Sequence, residues 1–144
     1  MKKLNYDLVF VCGLIEHIGR QKFLPREDVV ETLGRDELKN LLDYADVFHC
    51  QSLGDNLIEL EERFQFNTGS FTTHINAQFR VPSEYQVGKV YAWLIQELFE
   101  DLVDGILQIY KSPISHLIVD YNTHVIFTPI AELVEAYKEG KLIE

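Results

Sequence analysis

The chain has 144 residues, 47% hydrophobic and 12% aromatic, which is enough for one sizeable core and too little for two. Twenty-three acids against thirteen bases give a net charge of −10, which excludes recognition of a phosphate backbone, since that needs a cationic surface. The same charge keeps the chain soluble and suits a basic protein partner, because complementary fields steer association.

Lys2 and Lys3 precede an apolar run from Leu8 to Ile15 that superficially resembles a signal peptide. Asp7 interrupts the approach, Glu16 and His17 follow directly, and no small-residue cleavage site comes after. Leu8, Val11, Cys12, Ile15 and Ile18 instead share a helical face, predicting a helix from Asn5 to Ile18 with Asn5 as its N-cap and Gly19 near its end. Nothing approaches the roughly 18 apolar residues of a membrane span, so a cytoplasmic protein is expected, with Cys12 and Cys50 as free buried thiols. Arg20, Lys22 and Arg26 follow as the one basic concentration, placed to complement the C-terminus of the first helix.

Pro25 suits the first position of a short helix carrying Val29, Val30 and Leu33 and stopping at Gly34. Asp36 can cap the next, whose stripe of Leu38, Leu41, Leu42 and Ala45 reaches toward Phe48; another runs from about Asp55 to Phe64. From Asp43 to Glu62 there are six acids and no bases. Between Phe64 and Pro82 the period changes to two, with Phe71, Thr73, Ile75, Ala77, Phe79 and Val81 alternating with polar residues. A hairpin turning at Asn67 to Ser70 and an extended loop pinned by its aromatics both fit.

Ser83 with Gln86 forms a capping box opening one long predicted helix to Lys111, with Tyr91, Leu94, Ile95, Leu98, Leu102, Ile106 and Ile109 on one face. Glu97, Glu100, Asp101 and Asp104 lie opposite, and no base stands between Lys89 and Lys111. Trp93 and Phe99 fall off the apolar line, as part of a covered core or as a docking patch. Ser112-Pro113 and Thr128-Pro129 start helices at about 113–121 and 129–139, and the apolar stretch from His124 to Phe127 could pair with the hairpin. The predicted fold is mainly α: a single domain over 1–144, six or seven helices around one long central helix, with a small antiparallel β element near 64–81.

No catalytic motif, cofactor motif or phosphate-cradling loop accompanies these elements, and no cofactor or metal is predicted. His116, Asp120 and His124 stand four apart, but Asn122 and Thr123 break the helix, and a structural zinc site needs four ligands. His49 and Cys50 are adjacent, which on a helix points them about 100° apart, so no nucleophile–base pair follows.

Two sets of segments carry a resemblance. Asp7 to Gly19 with Tyr44-Ala45-Asp46-Val47-Phe48-His49-Cys50, and Val87 to Tyr91 with Asp120-Tyr121-Asn122 and Ala136 to Gly140, resemble an uncharacterised family of small bacterial cytoplasmic proteins. Members of that family are found beside small helical proteins and ADP-ribosyltransferase-like proteins, an arrangement similar to toxin and antitoxin neighbourhoods. The resemblance implies a partner and brings no activity with it.

The function expected is non-catalytic protein binding, antitoxin-like or accessory, through Trp93, Glu97, Glu100, Asp101 and Asp104. The alternative is an enzyme or a small-ligand or metal binder with a pocket near His116, Asp120 and Tyr121, and a third is a homodimer paired through the long helix. Neither nucleic acid nor membrane is expected as a partner.

Overall fold

A computed structural model describes residues 2–140. Among them the chain forms eight α-helices and one 3-10 turn: α1 (Tyr6–Lys22), α2 (Arg26–Asp43), α3 (Ala45–Phe48), α4 (Leu53–Glu61), α5 (Glu84–Leu98), α6 (Leu102–Lys111), α7 (Pro113–Ile118), the turn Val125–Phe127 and α8 (Ile130–Glu139). The fold is mainly α, and the described residues contain no strand.

The central helix is α1, not the segment from Ser83 to Lys111. Leu8, Val9, Phe10, Val11, Cys12, Leu14 and Ile15 are all buried, and a helix that is apolar all round must be covered on every side. α2, α3, α4 and α5 supply that cover. Asn5 caps α1 by accepting from the Leu8 amide at 3.0 Å, and the helix runs past Gly19 to Lys22, where Phe23 takes a left-handed conformation and closes onto the Gly19 carbonyl. α5 lies antiparallel to α1. Gln96 ties its far end to Asn5 and Lys3, while Glu84 at its start meets His17 at 2.8 Å. The crossing is tight because Gly88 bears no side chain: a Cβ there would stand 2.7 Å from the Val9 carbonyl and 2.9 Å from the Gly13 nitrogen. Both contacts are backbone, so neither could yield.

The predicted long helix is two helices. Phe99 is extended at φ −133°, ψ 140°, and Asp101 is an N-cap whose carboxylate accepts from the Asp104 amide at 3.1 Å. Apolar periodicity continues across the break, which hid it, but a capping aspartate competes with helix continuation by binding amides two or three residues ahead. Gly105 lets α6 fold back against α5, since a Cβ there would strike Ile95.

No β element forms near 64–81. This stretch is a loop with a turn at its middle, where the Ile75 and Asn76 amides bond the Thr72 carbonyl, and it is held by the backbone bonds of Gly69 to Lys22 and Phe71 to Phe23, and by Thr73 and Phe79 to the carbonyls of Val119 and Tyr121. The stretch from His124 to Phe127, expected to pair with it, forms the 3-10 turn with His124 at its start; the His124 ring lies tilted against Phe79 with centroids 4.0 Å apart. The break predicted at Gly34 is present as a kink inside α2, where φ is 76° and ψ 171°. Cys12 is buried as expected, whereas Cys50 is exposed, because the acidic stretch around α3 lies at the surface.

Candidate functional site

The densest polar cluster is buried. Glu16, fully enclosed on α1, accepts from Arg26 Nε through Oε1 at 2.8 Å. Its Oε2 accepts from Arg26 Nη2 at 2.8 Å, Arg20 Nε at 2.7 Å and the Tyr121 hydroxyl at 2.7 Å. The third nitrogen of Arg26 donates to the Leu24 carbonyl, and its guanidinium lies over the Phe71 ring. Arg26 fits only because Gly19 is bare, since a Cβ there would come within 2.6 Å of the Arg26 Nε. Burial alone would raise the Glu16 pKa, but Arg26, then Arg20 and the Tyr121 hydroxyl, bring it below the ordinary carboxyl value. Burial and the Glu16 charge push the Tyr121 phenol up.

A general base must reach a substrate proton with a free lone pair. Four donors occupy Glu16, so this cluster is a structural centre that ties α1, the α1–α2 turn and the segment after α7 together. Arg20 also bonds the Pro82 carbonyl and pairs with Glu84 at 3.5 Å, extending the network to the start of α5. The His17 bond, with Arg20 adding to it, holds the Glu84 carboxyl down to about 2. The basic concentration read as complementing a helix end is thus largely consumed by Glu16. The signal in the sequence is a carboxylate directly after the apolar run from Leu8 to Ile15, with three cations in the next ten residues.

The surface offers a different arrangement. Tyr6, Asp7, Phe10, Ala45, Asp46, His49 and Tyr85 line a cleft of about 270 Å³ between the start of α1, α3 and the start of α5. Tyr6 and Tyr85 are exposed, as are Tyr44 and Val47, the residues flanking Ala45 and Asp46. His49 packs edge-on against Phe10 at 5.9 Å, giving the cleft an aromatic floor. Asp7 also lines a neighbouring cleft of about 500 Å³, which carries Asp36, Asp43 and Asp101 alongside Arg35 and Lys39. Arg35 pairs with Asp104, and Lys39 with Asp43 at 2.9 Å.

The residues predicted from sequence take different places in the fold. Glu97 and Glu100 are exposed, Asp101 caps α6 at the rim of the larger cleft, Asp104 is engaged by Arg35, and Trp93 is half-buried on α5. His116 is exposed on α7 and meets Glu27 at 3.3 Å, Asp120 accepts from the Asn122 amide at 3.1 Å, and Tyr121 is turned inward to Glu16. The Tyr121 hydroxyl is thus engaged inside the core, while His116 stands at the surface. Among the described residues no group of three His, Cys, Asp or Glu is arranged to hold a metal ion, and no helix is long and apolar enough to cross a membrane. Comparison with family models, curated proteins and solved structures finds no significant match to this chain.

Proposed function

We propose that the protein is a non-catalytic binding module that takes a basic protein partner on the face formed by the start of α1, α3 and the start of α5. The observation that carries this is a cleft lined by exposed Tyr6 and Tyr85 and bearing Asp7 and Asp46, with exposed Tyr44 and Val47 next to its lining residues in the chain, on a protein of net charge −10. Tyrosines supply contact area at low entropic cost and are enriched at the centres of interfaces. Carboxylates beside them speed the encounter with a cationic surface. The adjoining acidic cleft extends the same field toward Asp101, so the footprint includes one residue of the acidic set read from sequence and leaves Trp93 outside. An antitoxin-like role, in which the face covers a basic toxin surface, is the specific form that the family resemblance favours.

The test is native mass spectrometry of the tagged chain purified gently from its own host, beside a variant carrying Tyr44→Ser, Asp46→Lys and Tyr85→Ser. A stoichiometric basic protein that accompanies the wild type, leaves in high salt and is missing from the variant is the expected result. A partner held equally by both forms would refute the proposed face, and a bare homodimer would replace it with self-association.

A further inference from the structure

A further cavity, of about 380 Å³, lies beside the first turns of α5. Its apolar wall is Pro82, Val90, Ile126 and Phe127, and its polar groups are Arg80, Gln86 and Lys89. The size falls within the range of small-molecule sites, and the composition, mostly apolar with a few polar groups to one side, is theirs as well.

The charge is the informative part. On a chain of net charge −10 the lining contains two cations and no carboxylate. Seven other cations of the chain each sit against a carboxylate within the fold. Arg80 has no hydrogen-bond or ion-pair partner among the described residues, and Lys89 has only the face of the Tyr85 ring, 5.0 Å from its Nζ. In a protein with acids to spare, two cations beside a shared apolar wall and without internal counter-charge await one from outside. Phe127, 58% exposed on the wall, offers a flat surface for an apolar body. A polyanion does not fit this description, because the rest of the surface repels it.

We propose that this pocket binds a small organic anion, its carboxylate, sulfonate or phosphate held by Arg80 and Lys89 and its planar apolar part laid against Val90, Ile126 and Phe127. The site shares no lining residue with the aromatic cleft and stands or falls separately from it.

The probe pair is 8-anilinonaphthalene-1-sulfonate and N-phenyl-1-naphthylamine, the same ring system with and without the acid. Calorimetry measures affinity, and amide shifts in a nitrogen-15 spectrum locate the site. The expected result is binding of the sulfonate with shifts confined to residues 80–90 and 124–128. Loss of one charge-assisted contact should weaken it about tenfold in Arg80→Gln or Lys89→Gln, and more in the double variant. Phe127→Ala should weaken both probes. Because Arg80 and Phe127 are exposed, these variants should keep the wild-type circular dichroism. Equal affinity for the uncharged probe, an unaffected double variant, or shifts centred elsewhere would each overturn the proposal.

Discussion

Glu16 shows how a single buried charge is tolerated. Its two oxygens face two guanidiniums and a phenol, and Arg26 is the guanidinium that reaches both oxygens, so removing it strips the carboxylate of its fully buried counter-charge. Arg26 contributes two of those bonds and is itself almost wholly enclosed. Arg26→Met should therefore cost about 3 to 5 kcal/mol of unfolding free energy, the range for breaking a buried pair from one side. Urea denaturation measures it, and a loss below about 1 kcal/mol would mean that Arg20 and Tyr121 suffice. Adding Glu16→Gln to that variant should recover part of the loss, since it removes the stranded charge. The two thiols differ for a simpler reason. Cys12 is enclosed beside the Tyr110 hydroxyl and burial pushes its pKa up to about 12, while Cys50 is exposed at the end of α3. Ellman's reagent at neutral pH should titrate one thiol in the native protein and both after denaturation; two fast thiols in the native state would contradict the burial of Cys12.

At the scale of elements, local signals carried the helix starts and missed how the elements continue. Asn5, Ser83 and Gly34 act where their chemistry predicted, as an N-cap, half of a capping box and a helix break. The joint at Phe99 to Asp101 escaped because apolar spacing runs straight through it, while the cap that ends the pattern is one carboxylate among four. Asp101→Ala should cost about 1 kcal/mol through loss of that cap, read as a lowered urea midpoint; an unchanged midpoint would mean the joint is set by Gly105 packing instead. This cap also makes charge reversal at Asp101 an unclean test of binding, whereas Glu97 and Glu100 project freely. The alternation from Phe71 to Val81 is interrupted by the turn at Thr72 to Asn76, and a strand also needs a partner edge. Here Val119 and Tyr121 offer only isolated carbonyls, so the segment stays a pinned loop. The aromatic cleft was not legible because Tyr6, Asp46 and Tyr85 lie on three elements far apart in sequence, and only packing brings them together.

For the whole molecule, acid sensitivity follows from groups whose folded pKa lies below the unfolded one. Glu84, bonded to His17, sits at about 2 against an ordinary 4.5, and Glu16 is lowered in the same sense. His74 is lowered by burial, then by Arg26 and Arg20, so it is favoured neutral. Each binds more protons unfolded than folded, so each stabilises the fold above its unfolded value and loses that contribution as pH falls. Thermal melts should show a first decline below about pH 6.5 from His74 and a steeper one between about 4.5 and 2 from the carboxylates. Relief of repulsion among surface acids acts oppositely but is screened beyond about 8 Å in physiological salt. A melting temperature that rises from pH 4.5 to 3 would show the surface term winning. The molecule also separates its fields: the acidic aromatic cleft and the cationic pocket flank the same first turns of α5, with Lys89 resting on Tyr85 between them.

Glu16 and Arg26 are 10 residues apart, whereas the Tyr121 hydroxyl comes from 105 residues away. That difference sets an order in time. A loop of about ten residues closes in roughly 10 to 100 ns, so the salt bridge is available as soon as the α1–α2 turn has left the ribosome. The phenol that completes it is synthesised among the last. A nascent chain ending before α7 can thus already pair Glu16 with Arg26 and lacks only the neutral phenol.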